Sequence, residues 1–361
     1  MRGTMPFDTT WPPPDADTVE RERAGDVAVA AWLLVVAGMI VVMVALGGAT
    51  RLTGSGLSIM EWRPLTGWLP PLSEAEWNRL FALYRTIPQY LEVNRGMDMA
   101  GFKEIFWLEY LHRVWGKMIG VVFAGGALAL AVTRRLRRAL WPRVALLFCL
   151  GGLQGLLGWF MVASGFFAHR TAVSPYRLTM HLGLAFVIFA AVLWTALGLM
   201  SQRGARAAPP RQLKMALHIT GALALLTMLA GGFVAGIRAG FTYNTFPLMD
   251  GRLIPVGYSD LTPWVMNMFE NVAAVQFNHR LLATLTLAGA AGVALLAWRA
   301  GAPWRGPVLL FSGTILAQYL LGIATLLAVV PVSLGTLHQT VAVLLLGAFV
   351  IAAHRLRRVV A

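Results

Sequence analysis

The feature that most constrains this chain is a series of eight apolar runs, each long enough to cross a lipid bilayer. Hydrocarbon about 30 Å thick is spanned by roughly 20 residues of α-helix. Inside it, backbone N–H and C=O groups find no water and must bond within the segment, which a helix achieves alone. The runs lie near residues 27–49, 112–132, 142–163, 176–200, 213–236, 276–298, 307–330 and 334–354. They predict an all-α membrane protein with eight transmembrane helices. Composition agrees, because only 13% of the residues are charged, about half the ~25% usual in soluble domains.

A formal net charge of +14 would suit a nucleic-acid partner, but its distribution argues for the lipid bilayer instead. Five arginines lie in Arg134–Arg143, and Arg203, Arg206, Arg211 and Lys214 follow helix 4. Arg299 and Arg305 lie between helices 6 and 7, and Arg355, Arg357 and Arg358 follow helix 8. None of these four segments contains Asp or Glu, and each adjoins an apolar run. The pattern predicts that all four, and both termini, face the cytoplasm and its anionic lipid, with no nucleic acid bound. Residues 1–26 carry Pro12, Pro13, Pro14 and six acids without apolar periodicity, and read as a disordered cytoplasmic tail. That stretch also lacks the basic-then-apolar order of a cleaved signal peptide. The single cysteine, Cys149, sits within an apolar run and excludes an intrachain disulfide.

The chain repeats itself. A shift of 184 residues lays Gly47, Gly48, Gly56, Gly67 and Pro71 on Gly231, Gly232, Gly240, Gly251 and Pro255. A shift of 167 lays His112-Arg113 on His279-Arg280, 164 lays Gln154 and Gly158 on Gln318 and Gly322, and 157 lays Thr179 and His181 on Thr336 and His338. The shrinking offset means that the second half has shorter loops. Four spans per repeat is an even number, so both halves share one orientation and are related by a pseudo-twofold axis along the membrane normal. This predicts two four-helix bundles, residues 27–200 and 215–361, joined by a cytoplasmic linker at 201–214.

Four of the seven histidines, His112, His181, His279 and His338, fall at repeat-related positions toward the outer ends of helices 2, 4, 6 and 8. Ionisable groups within spans are costly and mark functional sites. Two helices of one bundle that face each other with imidazoles at equal depth suit an axial pair on a heme iron. Zinc or non-heme iron would lack its usual first shell here, since neither cysteine nor a repeated carboxylate accompanies the pairs. Arg113 and Arg280 each follow a ligand histidine. Two readings fit them: pairing with heme propionates, or snorkelling from a helix end.

The repeat breaks at one informative place. Glu109 stands three residues before His112 on the same helical face, whereas Gln276 holds that place before His279. One heme therefore has a carboxylate near its edge and the other does not. A substrate heme beside a cofactor heme would need that difference, while a helix N-terminus that favours an acid would also produce it.

The runs TRLTGSGLSIMEWRP, WLEYLHRVWGKMIG, VSPYRLTMHLGLAF, NTFPLMDGRLIP, FENVAAVQFNHRLLAT and LGTLHQTVAVLLL together resemble the heme A synthase family. The resemblance covers essentially everything after the tail, and the absence of paired loop cysteines is similar to one subtype. It implies a bacterial inner-membrane enzyme that converts heme O to heme A for cytochrome oxidase assembly. Two successive hydroxylations of the C8 methyl give a geminal diol, which loses water to leave a formyl. It further implies that His279 and His338 ligate a resident heme b, that His112 and His181 bracket the substrate heme O, and that Glu109 is the essential carboxylate. A heme O synthase and an electron-transfer protein are the implied partners, and a homo-oligomer is left open. The rival from another class is a non-catalytic diheme cytochrome b, which would share the helices and histidines but not the Glu109–Gln276 difference.

Overall fold

The computed structural model describes residues 16–167, 170–201 and 208–357. Its α-helices are α1 (Ala16–Leu52), α2 (Glu74–Tyr84), α3 (Met99–Val132), α4 (Trp141–Ala163), α5 (Pro175–Met200), α6 (Arg211–Gly236), α7 (Val272–Ala300), α8 (Arg305–Leu327) and α9 (Val332–Arg355). All but α2 are long and apolar enough to cross a membrane, which gives the eight expected spans. Among the described residues the only β pairing is an isolated bridge between Met249 and Arg252.

Helix packing follows the repeat. Helices α1, α3, α4 and α5 contact one another in a ring, and α6, α7, α8 and α9 form the second ring. Between the rings, α5 meets α6, α9 meets α1, and α5 meets α9. Under the repeat α1 corresponds to α6 and α5 to α9, so the first two contacts exchange and the third maps onto itself, as a twofold relation requires.

Two expectations need correction. Helix α1 begins at Ala16, so residues 16–26 are helical and not part of a disordered tail. The reason is electrostatic: Asp17 sits in the first turn, where the helix dipole favours an acid. Asp26 also receives Nε and Nη2 of Arg137 at 2.9 and 2.8 Å. Residues 1–15 lie outside the described residues, as do Arg203, Arg206, Arg358 and His169.

The spans placed at 27–49 and 112–132 also leave residues 50–111 as a bare connection, and the structure corrects this. The connection holds α2, a π-helical turn at Gln89–Val93 and the outer part of α3. Ser73 caps α2 by accepting from Glu76 N, and Asp98 caps α3 by accepting from Gly101 N. Phe102 and Phe106 of α3 then pack with Leu57, Leu80, Tyr84, Tyr90 and Val173 in a separate apolar cluster. Tyr84 and Phe102 are wholly buried there, and burial of such side chains contributes about 1.5–3 kcal/mol each. This ordered cap packs at the end of the first ring where α3 and α5 begin.

Candidate functional site

A cavity of about 1710 Å³ runs through both rings and is lined by His112, His181, His279 and His338. Ordinary small-molecule pockets reach ~1,000 Å³, so this one has room for more than one large ligand. The histidines pair as the repeat predicts. His112 lies within electrostatic range of His181, and His338 within range of His279. His112, His181, His279 and His338 lie on α3, α5, α7 and α9 respectively, each in the N-terminal half of its helix.

Glycines hold the rings. A Cβ at Gly47 would lie 3.1 Å from His112 Cε1, and one at Gly158 would lie 3.0 Å from His181 Cε1. The second ring repeats this, with Gly231 at 3.1 Å from His279 Cε1 and Gly322 at 3.0 Å from His338 Cε1. Only residues without a side chain let the imidazoles lie flat against the neighbouring backbone. Gln154 Nε2 donates to the His181 carbonyl at 3.0 Å, and Gln318 Nε2 donates to the His338 carbonyl at 2.9 Å. The neighbouring glycines reach across the two rings. A Cβ at Gly48 would lie 3.0 Å from Gln339 Oε1, and one at Gly232 would lie 2.9 Å from Thr179 Oγ1.

The two sites differ in how firmly the α3 and α7 histidines are held. His279 Nδ1 lies 3.1 Å from the Thr227 carbonyl. A carbonyl only accepts, so Nδ1 carries the proton and Nε2 keeps its lone pair for a metal. His112 Nδ1 is buried with no partner. These residues fit a bis-histidine heme, and each pair has one held imidazole: His181 Nδ1 lies 3.2 Å from Gln154 Nε2 and His279 Nδ1 meets Thr227, while Nδ1 of His112 and of His338 is buried without a partner. Among the described residues no cluster of three or more His, Cys, Asp or Glu could hold another kind of metal ion.

Glu109 lies ten residues after Met99, well inside α3, so the dipole of the helix N-terminus does not account for it. It is 2% exposed. Its Oε2 accepts from Ser58 Oγ at 2.6 Å and from the Ile59 amide at 2.9 Å. Its Oε1 accepts from Arg113 Nη2 at 2.6 Å and Nε at 3.0 Å. Gln276 has the opposite polarity: its Nε2 donates to the Ala239 and Thr242 carbonyls, both at 2.6 Å, and its Oε1 accepts from Arg280 at 2.7 Å. The two arginines play matching parts. Arg113 donates to the Ile59 and Glu61 carbonyls, and Arg280 to the Tyr243 and Thr245 carbonyls, which are the same places under the 184 shift. Both guanidinium groups thus pin the outer segment to its helix and still line the cavity.

A family model described as a cytochrome oxidase assembly protein, COX15-CtaA, matches residues 30–350. The chain belongs to this family. It is 53% identical to the heme A synthase of Granulibacter bethesdensis over 94% of this chain and 90% of that one. It is 50% identical to the heme A synthase of Rhodospirillum centenum, covering 94% and 91%. With that of Parvibaculum lavamentivorans it shares 46% identity, over 96% of this chain and 99% of the other.

In this COX15-CtaA protein the remaining described histidines stand apart from the pairs. His218 is exposed, with Nδ1 2.7 Å from the Lys214 carbonyl. His354 is buried near the end of α9, edge-on to Trp194. Glu61 belongs to the cap: its carboxylate meets Arg79 at 2.8 and 2.9 Å and Arg63 at 2.8 Å. The Arg79 hydrogen bonds hold the Glu61 carboxyl below the usual carboxylate range. Sequence reasoning missed Ser58, the Ile59 amide and the Thr227 carbonyl. Two of these act through the backbone and leave no residue-type signal. The glycine pairs were visible as repeats, but their steric role was not.

Proposed function

We propose that this chain is a heme A synthase of the bacterial inner membrane that converts heme O to heme A in support of cytochrome oxidase assembly. In this reading residues 27–200 hold the substrate heme between His112 and His181. Residues 215–361 hold a resident heme b between His279 and His338, and 201–214 link the halves. The observation that carries the reading is a buried carboxylate beside one histidine pair and an amide at the matching place beside the other. When bound, the resident heme supplies one-electron redox chemistry. His279, its Nδ1 held by the Thr227 carbonyl, would offer Nε2 to that iron. Glu109 takes a proton from the reacting methyl or stabilises positive charge that develops there. Arg113 and Ser58 fix its direction. A heme O synthase supplies the substrate, and an electron-transfer partner carries electrons.

Mass analysis of hemes extracted from the purified protein tests this reading. Heme O or heme A beside heme B is the expected result. Heme B alone in both sites would make the chain a diheme cytochrome b. Labelling of cysteines introduced at Arg137 and Arg95, in a Cys149→Ser background, tests the orientation: the first is expected to react from the cytoplasm and the second from outside.

A further inference from the structure

The two rings are not equally closed toward the bilayer. Helices α7 and α8 pack along their lengths, whereas the corresponding α3 and α4 touch sparsely. The sequence explains the difference. Ser312 of α8 donates to the Ala290 carbonyl of α7 at 3.0 Å, and Tyr319 of α8 meets Thr284 of α7 at 3.2 Å. Ile315 between them is buried. Under the 164 shift these three α8 residues correspond to Phe148, Gly151 and Gly155 of α4. Under the 167 shift, Leu287 of α7 corresponds to Gly120 of α3. A Cβ built on Gly120, Gly151, Gly152 or Gly155 would meet nothing within 4 Å, although all four line the cavity that contains His112 and His181. All four are also exposed, with no neighbouring side chain covering them. The α3–α4 seam is therefore a slot lined by glycines and continuous with the cavity of the histidine pair.

The other helix seams of this ring are more fully packed. At the cap, Trp62 stacks on Trp159 of α4 at 5.1 Å, one helical turn beyond Gly155. Lys117 of α3 donates to the Thr66 and Gly67 carbonyls and closes the cap on the other side. Helices α1 and α5 are packed against each other and against the second ring.

We propose that the α3–α4 slot is the passage by which an apolar porphyrin enters and leaves the His112–His181 site sideways from the lipid. This rests on the reading of that site as the one for an exchanging substrate. The closed α7–α8 seam belongs to the pair assigned to a resident group, which has no need to exchange. A planar, membrane-soluble ring crosses such a seam without passing through water or displacing the cap. Interfaces between helices normally close at 8–10 Å between axes with side chains interdigitated, and the glycines remove that interdigitation here.

The test fills the slot with the residues of the closed half. Gly151→Ile/Gly155→Tyr on α4 and, separately, Gly120→Leu on α3 are placed in lipid nanodiscs with the resident heme retained. Heme O carried in phosphatidylcholine vesicles is the probe. Uptake and release are followed by the change in heme absorption. Both rates are expected to fall at least tenfold in either variant, while the equilibrium affinity stays within about threefold, because an obstructed passage slows both directions alike. Leu153→Tyr, on the α4 face turned away from the slot, is expected to leave both rates unchanged. Unaltered rates in both filled variants overturn the proposal. So does a loss of affinity with unchanged uptake, which makes the slot part of the site's wall. Unchanged heme rates with loss of co-purifying lipid make it a lipid crevice instead. Absence of heme O binding to the unaltered protein, or binding insensitive to His112→Ala, would instead overturn the assignment of the site.

Discussion

Glu109→Gln separates what the carboxylate does for structure from what it does for chemistry. The mirror position, Gln276, shows that an amide fits beside an arginine in this fold, with Oε1 2.7 Å from Arg280 Nη2. Its Nε2 works there because two carbonyls face it. At position 109 the facing groups are the Ser58 hydroxyl and the Ile59 N–H. The hydroxyl can turn and accept from the new amide, whereas the backbone N–H is left opposite a donor. An unsatisfied buried donor costs about 1–3 kcal/mol. Loss of the ion pair adds to this because the carboxylate is buried, but Gln keeps an acceptor for Arg113, which is 24% exposed and retains its two carbonyl contacts. The variant is thus expected to fold and keep its resident heme, with a modest fall in the detergent melting temperature. Heme A formation is expected to fall about 10²–10⁴-fold, the range for loss of a positioned acid–base group. Heme O, or a hydroxylated product short of the aldehyde, should accumulate in chromatography and mass analysis of membrane hemes. Ser58→Ala is the comparison: it removes one orienting donor and keeps the carboxylate, and should lower activity far less than Glu109→Gln. Full heme A production by Glu109→Gln would refute the chemical role and leave Glu109 as an anchor for the cap.

Three further outcomes are expected. His279→Ala or His338→Ala should abolish the resident heme spectrum while His112→Ala spares it; the reverse pattern would exchange the roles of the halves. Gly322→Ala places a methyl 3.0 Å from the His338 ring and should lower resident heme content at a cost of about 1–3 kcal/mol of overpacking; an unchanged spectrum would show that the ring has room to move. The Glu61 carboxyl is depressed by Arg79, so its stabilising contribution is present above its unfolded value of about 4.3 and is lost as pH falls through the folded value; pepsin nicking of residues 53–98 should rise in acid, at a higher pH in Arg79→Ala, and identical acid profiles would refute this.

The spans, the repeat and the four histidines were legible because each rests on a local regularity: twenty apolar residues, motifs that recur in the same order at an offset shrinking from 184 to 157 residues, an ionisable group in a greasy run. Helix ends were less so. Asp17 and Asp26 looked like tail chemistry until the helix dipole and Arg137 gave them partners. The cap was hidden because its helix α2 is short and its stability comes from aromatic contacts between Phe102, Phe106 and residues up to 49 positions earlier, such as Leu57. The Glu109–Gln276 contrast could be read from the alignment of the halves, but the donors that orient Glu109 could not. A backbone amide carries no residue type, and its direction is set by the whole path of the chain between Leu52 and Met99.

The glycine pairs have a consequence for how a duplicated chain can drift. Gly47 faces its own half's His112, while Gly48 faces Gln339, the residue after the other half's His338. Gly231 and Gly232 do the same with His279 and Thr179. Each copy therefore carries a mould of the other's ligand helix next to the mould of its own. A larger side chain that one copy acquired for a new task would be felt first in its twin. The halves are free to diverge at the α3–α4 seam and at position 109, where each looks away from the other. At the dyad they remain one inheritance unit, which is how two chemically different sites stay in the same geometric frame.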